Sequence, residues 1–210
     1  MTLWSGRFEG APDPAAFDFG VSFGVDHALF EDDVAGSIAW AEALGAADVV
    51  SREDTRAIVS GLKAILEEGR RDPAFVSGPD EDIHSFVERK LIERIGDAGR
   101  RLHTGRSRNE QVSLDLRLYL RRRVLALQAG VVGLVAACAD QAERAGSALM
   151  PSYTHLRRAQ PVLVAHYFLS HAAALRRDHA RLVTAAEEAD ALTLGSGAVV
   201  GTSYPVDTTR

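Results

Sequence analysis

From Val112 to Ala142 the chain repeats apolar residues three or four positions apart: Val112, Leu116, Tyr119, Val124, Leu127, Val131, Leu134, Cys138 and Ala142. No proline follows Pro79 until Pro151. This period predicts one α-helix of roughly forty residues, about 60 Å long at a rise of about 1.5 Å per residue. Globular helices are far shorter on average. A second long helix is predicted from Pro161, since proline suits a first turn. Its stripe is Ala165, Phe168, Leu169, Ala172, Leu175, His179, Leu182 and Ala186. Two such helices cannot bury their stripes against a small neighbouring domain, so they need long partners from this chain or from other copies. A helical bundle shared between subunits is the expected destination. Two antiparallel helices leave outer faces bare, which predicts aggregation unless partners cover them. Thr208-Thr209-Arg210 carries no stop signal, so the bundle is expected to be truncated.

Upstream the periods are shorter. The first thirty or so residues read as an extended arm that packs through Trp4, Phe8, Phe17, Phe19 and Phe23. A helix with Phe30, Val34, Ile38, Ala41 and Leu44 on one face is expected to stop at Gly45. The next begins at Ser51, where Ser51-Arg-Glu-Asp54 resembles a capping box, carries Ile58, Leu62, Ile65 and Leu66, and breaks at Asp72-Pro73. A third, with Ile83, Val87, Leu91 and Ile95, ends near Gly96. No segment alternates with a strand period, so the expected fold is all-α. A small helical amino-terminal domain with its arm, residues 1–105, precedes the first part of the long-helix bundle, residues 106–210.

Composition narrows the function classes. A net charge of −5 and a pI near 5.8 argue against a general nucleic-acid binder. The arginines nevertheless cluster, at Arg100, Arg101, Arg106, Arg108, Arg117 and Arg121 to Arg123, and at Arg157 and Arg158. A locally basic stretch in an acidic chain fits a small anion better than a polymer. The most continuous apolar stretch, Ala129 to Ala139, is too short to span a bilayer and contains Gly130 and Gly133. The amino terminus has no basic segment leading into an apolar one, and Cys138 has no partner for a disulfide. No membrane association and a cytoplasmic location are the expectations.

Three segments carry candidate chemistry. In His103-Thr-Gly-Arg106-Ser107-Arg108-Asn109-Glu-Gln111, Ser107 or Asn109 can cap the long helix. A helix start flanked by two arginines is a ready carboxylate or phosphate site, while a capped helix with solvated arginines is the commoner meaning of such a cluster. In Tyr153-Thr154-His155-Leu-Arg-Arg-Ala-Gln160-Pro161, His155 suits a proton carrier, and Thr154 and Gln160 can orient a carboxylate. A loop histidine bonded to nearby backbone explains His155 equally well. Asp80-Glu81-Asp82-Ile83-His84 reads first as helix capping, then as support for a site, and last as metal binding, because three successive acids do not face one point. The Gly195-Ser-Gly197 loop lacks the strand and the second half of a nucleotide fingerprint.

Together, HTGRSRNEQV, SYTHLRRAQPV, DEDIH, LGSGAVVGTSYPVD and the WSGRF start resemble argininosuccinate lyase in order and spacing. That family sits in the fumarase/aspartase superfamily with adenylosuccinate lyase and the lens δ-crystallins. The resemblance implies anti elimination of argininosuccinate to arginine and fumarate, with no metal and no organic cofactor. It also implies a homotetramer around long helices, each site combining segments of three subunits. By the same resemblance Ser22, Asn109 and Thr154 fall on substrate-contacting positions, and His155 on the acid–base histidine. His84 lies near the site, and Ser107 and Arg108 lie in the turn that cradles the succinyl carboxylates. Such a site must stabilise the dianionic, aci-carboxylate-like intermediate left by removing a proton α to a carboxylate.

Four positions depart from the family pattern: Ser152 for glycine, Arg157 for glutamine, Gly20 for asparagine and Glu110 for aspartate. The family's GSSxMPxKxNP loop, with its serine base and substrate-binding lysine, lies downstream of these 210 residues. The chain alone is therefore expected to be inactive unless a complementing carboxy-terminal half supplies that loop. A non-catalytic helical oligomer is the alternative from another class. An arginine-rich nucleic-acid binder ranks far behind.

Overall fold

The computed structural model describes residues 13–208, so Trp4, Phe8 and the WSGRF start lie outside the described residues. The chain forms two compact units, one running to Tyr119 and resuming at Leu192, the other spanning Leu120–Ala191.

The first unit is built from α1 (Pro14–Gly20), α2 (Phe23–Asp26), α3 (Phe30–Ala46), α4 (Arg52–Arg71), α5 (Ile83–Ile95), the single-turn α6 (Asp97–Arg100) and the start of α7 (Arg108–Ala145). Its core lies among α3, α4 and α5, where Val34, Trp40 and Leu44 meet Ile58, Leu62, Ile65, Phe86 and Leu91, all essentially sealed from solvent. Each fully buried side chain of this kind contributes about 1.5–3 kcal/mol. Local signals set the ends. Ser51 Oγ accepts from Asp54 N at 3.1 Å, Asp82 accepts from Ser85 N at 2.6 Å, and α5 closes on Gly96 at φ 66°. Trp40 Nε1 donates to Thr104 O at 3.1 Å and ties α3 to the turn before α7.

Two expectations change in this unit. Gly45 does not stop its helix, which runs on to Ala46. A Cβ at Gly45 would sit 2.6 Å from Thr55 Oγ1, so this glycine lets α4 pack closely. The arm is not extended throughout, since α1 and α2 fall within it. Phe23 packs against Phe86 with ring centroids 5.6 Å apart, whereas Phe19 is 94% exposed.

In the second unit α7 runs on to complete its 38 residues, which fits the predicted length, and α8 covers Val164–Ala189. Between them stands an antiparallel hairpin, β1 (Leu149–Thr154) and β2 (Arg157–Leu163), paired from Leu149 with Leu163 to Thr154 with Arg157. This corrects two expectations, that no segment forms a strand and that Pro161 starts a helix, which begins instead at Val164. Pro151 and Pro161 face each other across the ladder, which a two-stranded ribbon tolerates because both of its strands are edges. Neither strand holds a buried residue, so no apolar face imposed the alternation that marks most strands. Among the described residues this hairpin is the only strand structure, and the fold is otherwise built of helices.

By length and composition α7 is long and apolar enough to cross a membrane, which the stretch Ala129 to Ala139 alone did not suggest. Such a helix equally serves as the bare core helix of a bundle.

Candidate functional site

At the start of α7 the sequence Ser107-Arg108-Asn109-Glu110 builds a capping box. Ser107 Oγ accepts from Asn109 N at 3.3 Å, and Glu110 Oε1 accepts from Ser107 N at 2.7 Å. Ser107, rather than Asn109, is thus the cap. Asn109 stands exposed on the first turn.

The two arginines of this turn point into the unit. Arg106 is buried and donates to Ser37 Oγ at 3.1 Å. Arg108 donates through Nη1 to Gln111 Oε1 at 2.7 Å, and its guanidinium lies 3.8 Å from Asp82 Oδ2 and 3.6 Å from Glu88 Oε2. The solvated arginines of the bland alternative are not what this turn contains. Several polar atoms here are buried without a hydrogen-bond partner: Arg106 Nε, Arg108 Nη2, His103 Nδ1 and Glu88 Oε2. Burial, then Arg106 and Arg108, push His103 down to about 4, so its imidazole is neutral at pH 7. Burial raises the Glu88 carboxyl, against the pull of Arg108 and Arg106.

Behind the turn lies a sealed polar cluster. Asp33 Oδ1 accepts from His84 Nδ1 at 2.8 Å and from Gln111 Nε2 at 2.5 Å, and Asp115 Oδ2 lies 3.1 Å from the same histidine nitrogen. Gln111 therefore links Arg108 to Asp33 and His84. Burial alone would lower the His84 pKa, but Asp115 and Asp33 outweigh it and raise it to about 9. Burial raises Asp115 to about 7 against the opposing effect of His84, while burial of Asp33 is outweighed by the His84 partner, which holds that carboxyl low. At pH 7 an imidazolium–carboxylate pair is the result. The three donor atoms lie within 4.8 Å of one another, as a divalent cation would need. Yet the 2.8 Å separation is that of a hydrogen bond, and Gln111 aims a donor at the same oxygen. A proton fits this donor set better than a metal.

Ser22 joins the same unit. Its backbone N–H donates to Glu81 O at 2.9 Å, its hydroxyl donates to Asp26 Oδ2 at 2.6 Å, and Asp26 Oδ1 accepts from Ile83 N at 3.0 Å. The arm is thereby pinned to the DEDIH segment, whose Asp82 faces Arg108. Ser22, His84, Arg106, Ser107, Arg108 and Asn109 thus come from one unit, tied through these bonds.

Thr154, His155 and Gln160 belong to the hairpin of the other unit. His155 and Leu156 form its two-residue turn with φ of 50° and 61°, a left-handed pair that glycine or asparagine usually supplies. Thr154, His155 and Leu156 are all exposed. Ser152 Oγ donates to Gln160 O at 2.7 Å and accepts from Gln160 N at 3.0 Å, spanning the register shift between Pro151 and Tyr153. This departure from glycine therefore stiffens the ribbon that carries His155.

Sequence reasoning missed Asp33, Ser37, Glu88 and Asp115, and placed Gln111 in a candidate segment without giving it a role. The spacing offered a weak signal: Asp33 with Ser37, and Gln111 with Asp115, are polar pairs four apart on one helix face.

The sequence profile of the lyase family matches residues 6–210. The chain is 43% identical over 205 residues to argininosuccinate lyase of Desulforudis audaxviator, covering 98% of this chain and 45% of that protein. An EDDS lyase solved with formate superposes with a TM-score of 0.72 at 25% identity, covering 95% of this chain and 40% of that one. A fumarate lyase:delta crystallin protein from Brucella melitensis has the same fold, with a TM-score of 0.69 at 20% identity over 95% of this chain and 46% of its own. The chain thus spans less than half the length of these relatives. The helical fold, the arginine-bearing helix start and the match along nearly the whole chain agree: this protein belongs to the lyase family of the fumarase/aspartase superfamily.

Proposed function

We propose that the chain is the amino-terminal part of an argininosuccinate lyase of arginine biosynthesis, cytoplasmic and working as a homotetramer. The observation that carries this reading is the 43% identity to an argininosuccinate lyase along 98% of the chain. In the reaction a base removes the proton α to one succinyl carboxylate, and its electron pair forms the fumarate double bond as the C–N bond breaks. The guanidino nitrogen keeps that bonding pair and takes a proton, which gives arginine. His155, displayed on an exposed turn, suits the proton transfer. Thr154 and Asn109, both exposed, suit contacts to substrate, with Ser22 and Gln160 beside them in role. The buried state of His84 and Arg106 favours support of the Ser107–Arg108 turn over contact with substrate. Arg108 already faces Asp82 and Glu88, so its field is shared with them. By the family resemblance the serine base belongs to the GSSxMPxKxNP loop, which these 210 residues do not contain.

Fumarate release from argininosuccinate tests this directly. The 210 residues alone are expected to release none, and to turn over when supplied with the carboxy-terminal half. His155→Asn should then cost about 10²–10⁴-fold in kcat. Turnover of adenylosuccinate instead, or wild-type rates in His155→Asn, would contradict the assignment.

A further inference from the structure

The glycine-rich segment after Leu192 is not a nucleotide loop, and its backbone shows what it does hold. Gly195 N and Gly197 N donate to Glu110 Oε2 at 2.7 and 2.8 Å, while Glu110 Oε1 takes Ser107 N. One side chain, 3% exposed, thus receives three backbone N–H groups. Positive φ at Gly195 and Gly197, 102° and 62°, turns both amides toward one point, the arrangement of an anion nest. A Cβ at Gly195 would meet Thr208 Cγ2 at 2.3 Å, and one at Gly197 would meet Gly201 O at 2.5 Å, so neither position accepts a larger residue. Thr193 Oγ1 adds a bond to Glu110 O at 3.2 Å. The segment also touches the other side of the turn, where a Cβ at Gly105 would lie 2.7 Å from Tyr204 Cδ2. Arg106 to Asn109 are therefore braced at both ends by residues from 193 to 204.

We infer that Glu110 is a positioning residue: its carboxylate, seated in the Gly195–Gly197 nest, locks the glycine-rich segment onto the start of α7 and so sets the turn that binds an anionic substrate. The lock itself stands on the geometry, whereas its effect on substrate rests on the lyase reading above. A carboxylate presents acceptors in both directions. An amide does not: in Glu110→Gln the NH₂ group must face either Ser107 N–H or the two glycine N–H groups, leaving buried donors unpaired. Glu110→Asp keeps the charge and both acceptors, and aspartate is what the family resemblance puts at this position.

The test uses the full-length enzyme as its source cells make it, in wild-type, Glu110→Gln and Glu110→Asp forms. Two readouts are taken: amide hydrogen exchange at Gly195 and Gly197, and KM and kcat for argininosuccinate. In Glu110→Gln both amides should lose protection and KM should rise about tenfold with kcat nearly unchanged, the pattern of lost uniform binding. Glu110→Asp should recover most of both. Unchanged protection in Glu110→Gln would overturn the lock. Lost protection with unchanged KM would overturn its role in positioning the turn. Wild-type enzyme without argininosuccinate turnover would strike the lyase reading instead, while the exchange measurement still decides whether the lock exists.

Discussion

Leu62 and Leu127 are the same residue type on comparable helices, yet one is sealed and the other is 56% exposed. The contrast runs through their units. In the first, α3, α4 and α5 bury large side chains completely, and even the polar groups behind the α7 turn are enclosed. In the second, the buried apolar residues are Val124, Ala142, Ala172 and Ala189, none of them large, while Leu125, Leu134 and Leu169 stand open. The first unit closes a core of its own, with Phe19, Val25 and Val200 left open at its edges; the other is shaped to be satisfied by further helices. A bundle helix can keep its stripe bare only if a partner arrives, and the size of that debt distinguishes the two units.

The comparison breaks most visibly at Asp33. Asp33→Ala leaves Gln111 Nε2 without its acceptor and His84 with Asp115 as its sole carboxylate, and should cost about 4 kcal/mol, since one partner of a buried ionic cluster is removed. Denaturant unfolding of the first unit measures it, and a loss under about 1 kcal/mol would mean the cluster is open to water.

A smaller effect is expected from pH. The folded value of His84, about 9, lies above its ordinary 6.5, so its contribution is complete below pH 6.5 and is lost as pH rises through 9. Asp115, raised to about 7, acts in the same sense at lower pH, from its ordinary 3.8 upward. Asp33, held low, contributes above its ordinary 3.8 and loses that contribution on acidification. Stability of the first unit should therefore fall between pH 6.5 and 9, and His84→Gln should flatten that slope. An equally steep slope in the variant would assign the effect elsewhere.

The smallest effect belongs to the open unit. Leu127→Ala should change the stability of the dilute chain by less than about 0.5 kcal/mol, where Leu62→Ala costs about 3 kcal/mol. Sedimentation should show the Leu127→Ala loss as weaker self-association. A large stability loss in the dilute chain would show that Leu127 already has a packed partner within it.

The same difference explains what could be read in advance. Helices with a buried face, such as the one carrying Ile58, Leu62 and Ile65, announced their period, and Ser51, Asp82 and Gly96 marked their ends. The hairpin announced nothing, because its strands have no buried face to pattern them and its prolines suit edges. Ser107 and Arg108 could be singled out from their string as an anion-site candidate, and His84 as capping or support for a site. Asp33 and Asp115 could not, since an acid among other charged helix residues shows its purpose only when His84 arrives from α5. Glu110 was legible only as a departure from aspartate; its three amide donors come from a turn beside it and a loop more than eighty residues away.

The division into a self-sufficient unit and one that waits for partners is tested most directly by amide hydrogen exchange at low and high protein concentration. Amides of α3, α4 and α5 should be strongly protected at both. Those of the β1–β2 hairpin and α8 should exchange through low-energy openings when dilute and gain protection as copies associate. Equal, concentration-independent protection in both units would contradict the account.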